Sequence, residues 1–177
     1  MLLVLSPVVL SYIFHTYGLR PDNTVNYGEL LEVKRIEGVA TNLDDNTIFR
    51  IRQLKGMWSL LIVDSGECYQ YCQDKLYLMR QIRLAMHVDK DRVARVWLIN
   101  DNVTPDPSIV EEYEGTQLVL AKDKDLLSEF PYTGNQQNHI YVIDPMGHLM
   151  MRYPENPDPK RMIDDLKRLL KLSDMEH

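Results

Sequence analysis

The run Trp58-Ser59-Leu60-Leu61-Ile62-Val63-Asp64 constrains this chain more than any other stretch. A short, continuously apolar segment marks a strand covered on both faces, which belongs in the interior of a sheet flanked by helices. Ser65-Gly66 ends it. Over residues 71–87, Leu76, Met79, Ile82, Leu84 and Met86 recur at roughly helical spacing and predict a long helix with those side chains inward, while Arg80 and Arg83 point elsewhere. The only two cysteines, Cys68 and Cys72, therefore stand at one end of a strand-to-helix turn.

The remaining elements follow from period and punctuation. Residues 95–100 form a second apolar strand, and Pro105-Asp106-Pro107-Ser108 starts a short helix over 109–114 that Gly115 ends. Residues 116–121 predict a third strand, 125–130 a helical turn and 131–138 a polar loop. His139 opens a strand over 139–144, joined to another over 149–153 by the tight turn Asp144-Pro145-Met146-Gly147-His148. Residues 160–172 close the chain as an amphipathic helix with Met162, Ile163, Leu166, Leu169, Leu170 and Leu172 inward. Upstream, residues 39–54 read as a hairpin turning at 43–47, and 24–36 as an extended arm. Parallel units followed by an antiparallel hairpin make a thioredoxin-like α/β fold, a mixed sheet flanked by helices with an N-terminal hairpin.

With 177 residues, 45% of them hydrophobic, the chain can fill one core. A net charge of -6 and the lack of a basic stripe argue against nucleic acid as a partner. Two cysteines are too few for a disulfide scaffold or a four-thiol zinc site. Residues 1–20 read as a signal anchor or transmembrane segment. Their apolar stretch, 2–14, is shorter than the roughly 20 residues of a full span, and extending it to Leu19 places Tyr12 and Tyr17 at the interface. A basic n-region and a small-residue cleavage site are missing. A core strand or a cleaved signal are the alternatives. On the anchor reading, residues 21–38 are linker and arm. Residues 39–177 are then the thioredoxin-like domain, held on the periplasmic side of an inner membrane.

The run Gly66-Glu67-Cys68-Tyr69-Gln70-Tyr71-Cys72-Gln73 after an apolar strand, with Asp144-Pro145-Met146-Gly147-His148-Leu149 late in the chain, resembles the Sco/SenC family of membrane-anchored thioredoxin-like proteins. The resemblance covers roughly residues 39–172. It implies that Cys68 and Cys72 bind copper and that the protein assists maturation of the copper centre of cytochrome c oxidase, or serves another periplasmic thiol or copper protein. The family places a proline after the second cysteine, where this chain has Gln73, and a histidine ligand about nine residues before the hairpin proline, where it has Gln136. His139 is the nearest histidine and the candidate third ligand; the alternative is a strand-end histidine with no metal role.

Thiol chemistry supports a role for the pair with or without metal. A helix N-terminus favours the thiolate, while Glu67 and Asp64 oppose it. Two thiolates and an imidazole suit Cu(I). Positions four apart on a helix have Cβ atoms about 5–6 Å apart, whereas a disulfide needs about 3.8 Å. A direct S–S bond therefore requires Cys68 on the turn ahead of the helix, and a bridging metal tolerates the wider gap. A dedicated thioredoxin-type reductase fits less well, because three residues separate the cysteines and no proline precedes the strand at His139. Three functions stay open: copper handling, metal-independent thiol-disulfide reduction, and an interaction module with an idle or structural disulfide. Met146, Met150 and Met151 read as core fillers and His148 as solvated. His15, His87 and His177 read as structural or inert, and Tyr69 and Tyr71 flank the thiols where they can shield the sulfurs.

Overall fold

A computed structural model of the chain describes residues 26–121 and 124–174. The apolar run at 58–64 forms β4 (Trp58–Asp64), buried at every position. Its neighbours are β5 (Val93–Ile99), parallel to it, and β7 (Ile140–Ile143), antiparallel. β6 (Gln117–Leu120) extends the parallel part, and β8 (His148–Arg152) pairs with β7 across the Asp144–Gly147 turn. The N-terminal hairpin forms as β2 (Val39–Asn42) and β3 (Ile48–Arg50), after which Ile51–Leu54 winds into a 3-10 turn. With β1 (Glu29–Arg35), the described residues make one eight-stranded mixed sheet in the order β1-β8-β7-β4-β5-β6-β2-β3.

Of the arm expected at 24–36, Glu29–Arg35 is extended and forms an edge strand. β1 pairs antiparallel with β8. Its entry is fixed from far along the chain, where the buried Asp165 carboxylate accepts the Tyr27 and Gly28 N–H groups at 2.9–3.0 Å. No local period marks such a strand, because its exposed positions face water and its partner lies more than a hundred residues away.

Alternation along β4 and β5 divides the core into two layers. Leu60, Ile62, Trp97, Ile140 and Val142 face α1 (Gln70–Ala85) and α4 (Pro159–Asp174), which contribute Leu76, Met79, Ile82, Met162 and Leu166. Leu61, Val63, Val96, Leu98, Tyr141 and Ile143 pack on the opposite side against Phe49, Ile51, Leu126 and Phe130. The short helices are α2 (Pro107–Glu112), begun by Asp106 accepting the Ser108 N–H at 2.8 Å, and α3 (Lys124–Ser128). Leu84 and Leu172, expected inward, are 50% and 51% exposed. Both lie in the last turns of their helices, where the next element no longer covers the apolar stripe.

The anchor expected at residues 1–20 lies outside the described residues. Among the described residues no helix is long and apolar enough to cross a membrane.

Candidate functional site

Cys68 and Cys72 are joined as a disulfide with Cα atoms 5.0 Å apart. The turn geometry makes this possible. Cys68 lies two residues ahead of α1 with φ at +42°, a left-handed conformation that shortens the path from β4 into the helix. The bond meets the condition that the spacing sets, with Cys68 on the turn ahead of the helix, since a regular helix would have kept the sulfurs apart.

The turn is held on every side. Cys68 N–H donates to Ser65 O, and the Gln73 side-chain amide donates to Cys68 O at 2.9 Å. Gln73 N–H also donates to Tyr69 O, a bond that a proline at this position could not make. Asp101 Oδ1 accepts from Gly66 N at 3.1 Å and Val103 N at 3.0 Å, clamping the 100–105 loop onto the turn. Gly66 is required there, since a Cβ would stand 1.9 Å from the Val103 carbonyl oxygen. As a result both cysteines are sealed, at 1% and 2% exposure. Tyr69, expected to shield them, is 74% exposed and points away. Tyr71 is half-buried and donates its hydroxyl to Asn138 O at 3.2 Å.

Beneath the disulfide lies a buried ion pair that sequence reasoning missed. Lys75 Nζ donates to Asp64 Oδ2 at 2.7 Å and to the Gln137 carbonyl, and it sits 5.1 Å from the centre of the Tyr71 ring. Lys75 follows Cys72 by three residues, so the two share a face of α1. Burial pushes the Lys75 ammonium below the ordinary lysine range, and Asp64 offsets part of that. Asp64, expected to oppose a thiolate, is therefore neutralised by its partner. A signal was present: a lysine on the otherwise apolar face Cys72-Leu76-Met79, with an aspartate ending a buried strand.

His139 is 4% exposed, just ahead of β7, and both ring nitrogens are engaged with backbone. Nδ1 lies 2.9 Å from Tyr153 O, and Nε2 lies 3.2 Å from Thr133 N and 3.1 Å from Thr133 O. His139 thus stands at the strand end, and its ring pins two loops. Gln136 spends its amide on Leu127 O and Phe130 O, at 2.6 and 2.9 Å. Among the described residues no group of three His, Cys, Asp or Glu side chains is placed to hold a metal ion. In this oxidised state the sulfurs are bonded to each other and the His139 ring is turned to backbone, so the two sulfurs and the imidazole are not assembled as a copper set.

The outlying candidates separate. Met151 is core at 1% exposure, but Met146 is 61% exposed and fills nothing. His148, expected to be solvated, holds Asp144 Oδ2 at 2.9 Å and tightens the hairpin turn. His87 is exposed at the end of α1, and His15 and His177 lie outside the described residues.

Solved structures share this fold at low identity. A SCO1/SenC family lipoprotein from Bacillus anthracis is 19% identical over 80% of this chain and 98% of its own, with a TM-score of 0.60. Apo Sco1 from Thermus thermophilus is 16% identical over 85% and 99%, at 0.62, and yeast Sco1 with copper bound is 15% identical over 82% and 93%, at 0.58. No curated protein matches the chain. Residues 58–173, from the first residue of β4 nearly to the end of α4, match the family described as transmembrane-like, thioredoxin-like, C-terminal domain, and the chain belongs to that family.

Proposed function

We propose that this protein is a Sco-like thiol-disulfide exchange protein whose working group is the Cys68–Cys72 pair. The observation that carries this is the disulfide closed across the β4–α1 turn with Cys68 in left-handed backbone, a conformation that non-glycine residues hold at a cost and that clusters at functional sites. A partner dithiol is the co-reactant. Its thiolate attacks Cys68 Sγ once the turn opens, the Cys68–Cys72 bond breaks, and the electron pair leaves on Cys72. Cys72 lies in the first turn of α1, where free N–H groups favour a thiolate. The partner's second thiol then displaces Cys68, so that two electrons and two protons pass to this chain and the partner leaves as a disulfide. Equilibration with defined dithiol buffers tests this: a reduction potential within the range of exchanging proteins supports it, and one below about -300 mV marks a structural disulfide instead.

Copper as cargo is the second reading, favoured by the fold shared with copper-bound yeast Sco1. Reduction would free two soft thiolates, and the partner would be a cytochrome c oxidase subunit, as the family resemblance implies. The exchange would take place on the periplasmic side of an inner membrane, with residues 1–20 as anchor. Anaerobic Cu(I) titration of the reduced protein separates the readings. Tight one-to-one binding supports cargo, and binding unchanged by His139→Asn shows that the thiols suffice.

A further inference from the structure

In a chain of net charge -6, α4 turns a basic face to solvent. Met162, Leu166, Leu169 and Leu170 are buried in the layer shared with α1, while Lys160, Arg161, Lys167 and Lys171 are exposed and Arg168 is half-buried. Lys160, Asp164, Lys167 and Lys171 fall at the spacing of one helical row, and Arg161 and Arg168 lie on the row beside it. Asp164 is the one exposed carboxylate within these rows. Asp165 is buried, holding the Tyr27 and Gly28 N–H groups, with Arg168 at 3.6 Å from its Oδ1.

The chain enters the fold on the flank of this face. Besides the bonds to Asp165, the Tyr27 hydroxyl accepts the Asp158 N–H at 3.0 Å, and the Arg161 guanidinium lies 3.9 Å from the centre of the Tyr27 ring. Tyr27 is thus bound to the first two turns of α4, and the residues before it join the fold beside Arg161. On the anchor reading of residues 1–20, residues 21–26 alone separate the membrane from this point, at most about 20 Å of extended chain.

We propose that the basic face of α4 docks on the anionic phospholipid surface that residues 1–20 enter, and so sets the orientation of the domain on its membrane; the proposal rests on the anchor reading. Each lysine or arginine close to such a surface strengthens adsorption about fivefold, and the attraction fades beyond about 10 Å. So short a tether brings the face within that range, which favours lipid over an acidic protein as the occupant. The opposite layer of the sheet then faces away from the membrane. It carries Lys34, paired with Glu129 at 2.7 Å, and Lys55, which follows the buried Leu54.

Lysine labelling of the full chain tests this. The protein is added to preformed vesicles of phosphatidylcholine, alone or with about one-third phosphatidylglycerol. A water-soluble acetylating reagent then marks exposed amines, and mass spectrometry follows each lysine. Lys160, Lys167 and Lys171 are expected to react about fivefold or more slowly on the anionic vesicles than on the neutral ones, with Lys34 and Lys55 unchanged, and high salt to remove the difference. Lys160→Gln with Lys167→Gln is expected to restore the labelling of Lys171. Equal labelling on the two vesicles, or protection shared by Lys34 and Lys55, overturns the docking face, and the first result leaves the face to an acidic protein. Flotation with the neutral vesicles reads the anchor separately. A chain that stays in solution there has no working anchor, and the docking face then stands or falls on the protection given by anionic vesicles alone.

Discussion

Lys75 Nζ lies 2.7 Å from Asp64 Oδ2, one helical turn beyond Cys72, and the two side chains are only 3% and 10% exposed. This pair ties the end of β4 to the first turns of α1, the same two elements that the disulfide joins. Lys75→Met leaves a buried carboxylate unpaired and is expected to cost about 3–5 kcal/mol, whereas Lys75→Met with Asp64→Leu recovers most of it. Urea unfolding midpoints check this. Equal stability of Lys75→Met and wild type would mean that Asp64 does not depend on the pair.

The disulfide closes a loop with a sequence separation of only 4. Chain-entropy stabilisation grows with loop size, so so short a loop contributes about 2 kcal/mol. Cys68→Ser with Cys72→Ser is expected to lower stability by about that amount and to leave the fold intact, as read by far-UV circular dichroism and urea unfolding. Loss of folding in the double variant would show that the bond does more than restrict the unfolded chain.

Asp101 links the turn to acid sensitivity. Burial raises its carboxyl, but hydrogen bonds from Ser65, Gly66 and Val103 outweigh this and hold it below the usual aspartate range. A group depressed in the folded state stabilises above its unfolded value near pH 4 and loses that contribution as pH falls through the folded value. Stability is therefore expected to fall below about pH 4, and Asp101→Asn to flatten that limb. The same variant is expected to speed reduction of the disulfide by dithiothreitol at neutral pH, since the clamp on Gly66 is weakened. An unchanged acid limb and an unchanged reduction rate would remove Asp101 from this role.

Gly66 meets the Val103 carbonyl where a Cβ would stand 1.9 Å away. Gly66→Ala forces the loop off the turn and is expected to cost about 1–3 kcal/mol, with a lower Tm. Faster labelling of the cysteines by a thiol reagent after mild reduction reports the same opening. A variant as stable as wild type would show that the loop gives way freely.

The parts of the fold legible in the sequence are those whose physics is local. β4 announced itself by an unbroken apolar run, the β7–β8 hairpin by Pro145 and Gly147 in its turn, and α1 by the period of Leu76, Met79 and Ile82. β1 was not legible as a strand, because its pairing with β8 and its anchoring by Asp165 join residues far apart in the chain. In the site, the cysteines were visible from composition and spacing. Lys75 was missed because a lysine among apolar residues reads as a helix surface until a buried partner is known.

By itself, then, the amino-acid order determined a thioredoxin-like succession of strands and helices and the placing of Cys68 and Cys72 at the turn between β4 and α1. Period, turn residues and rare residue types are properties of neighbouring positions, and they need no knowledge of the rest of the chain. Tertiary structure alone decided that the sulfurs bond to each other beneath a sealed loop, that His139 turns to Thr133 and Tyr153 backbone, and that Lys75 neutralises Asp64. Each of these depends on a backbone angle, a direction of a side chain or a partner contributed from another strand. Such quantities exist only once the sheet has brought β4, β7 and α1 together.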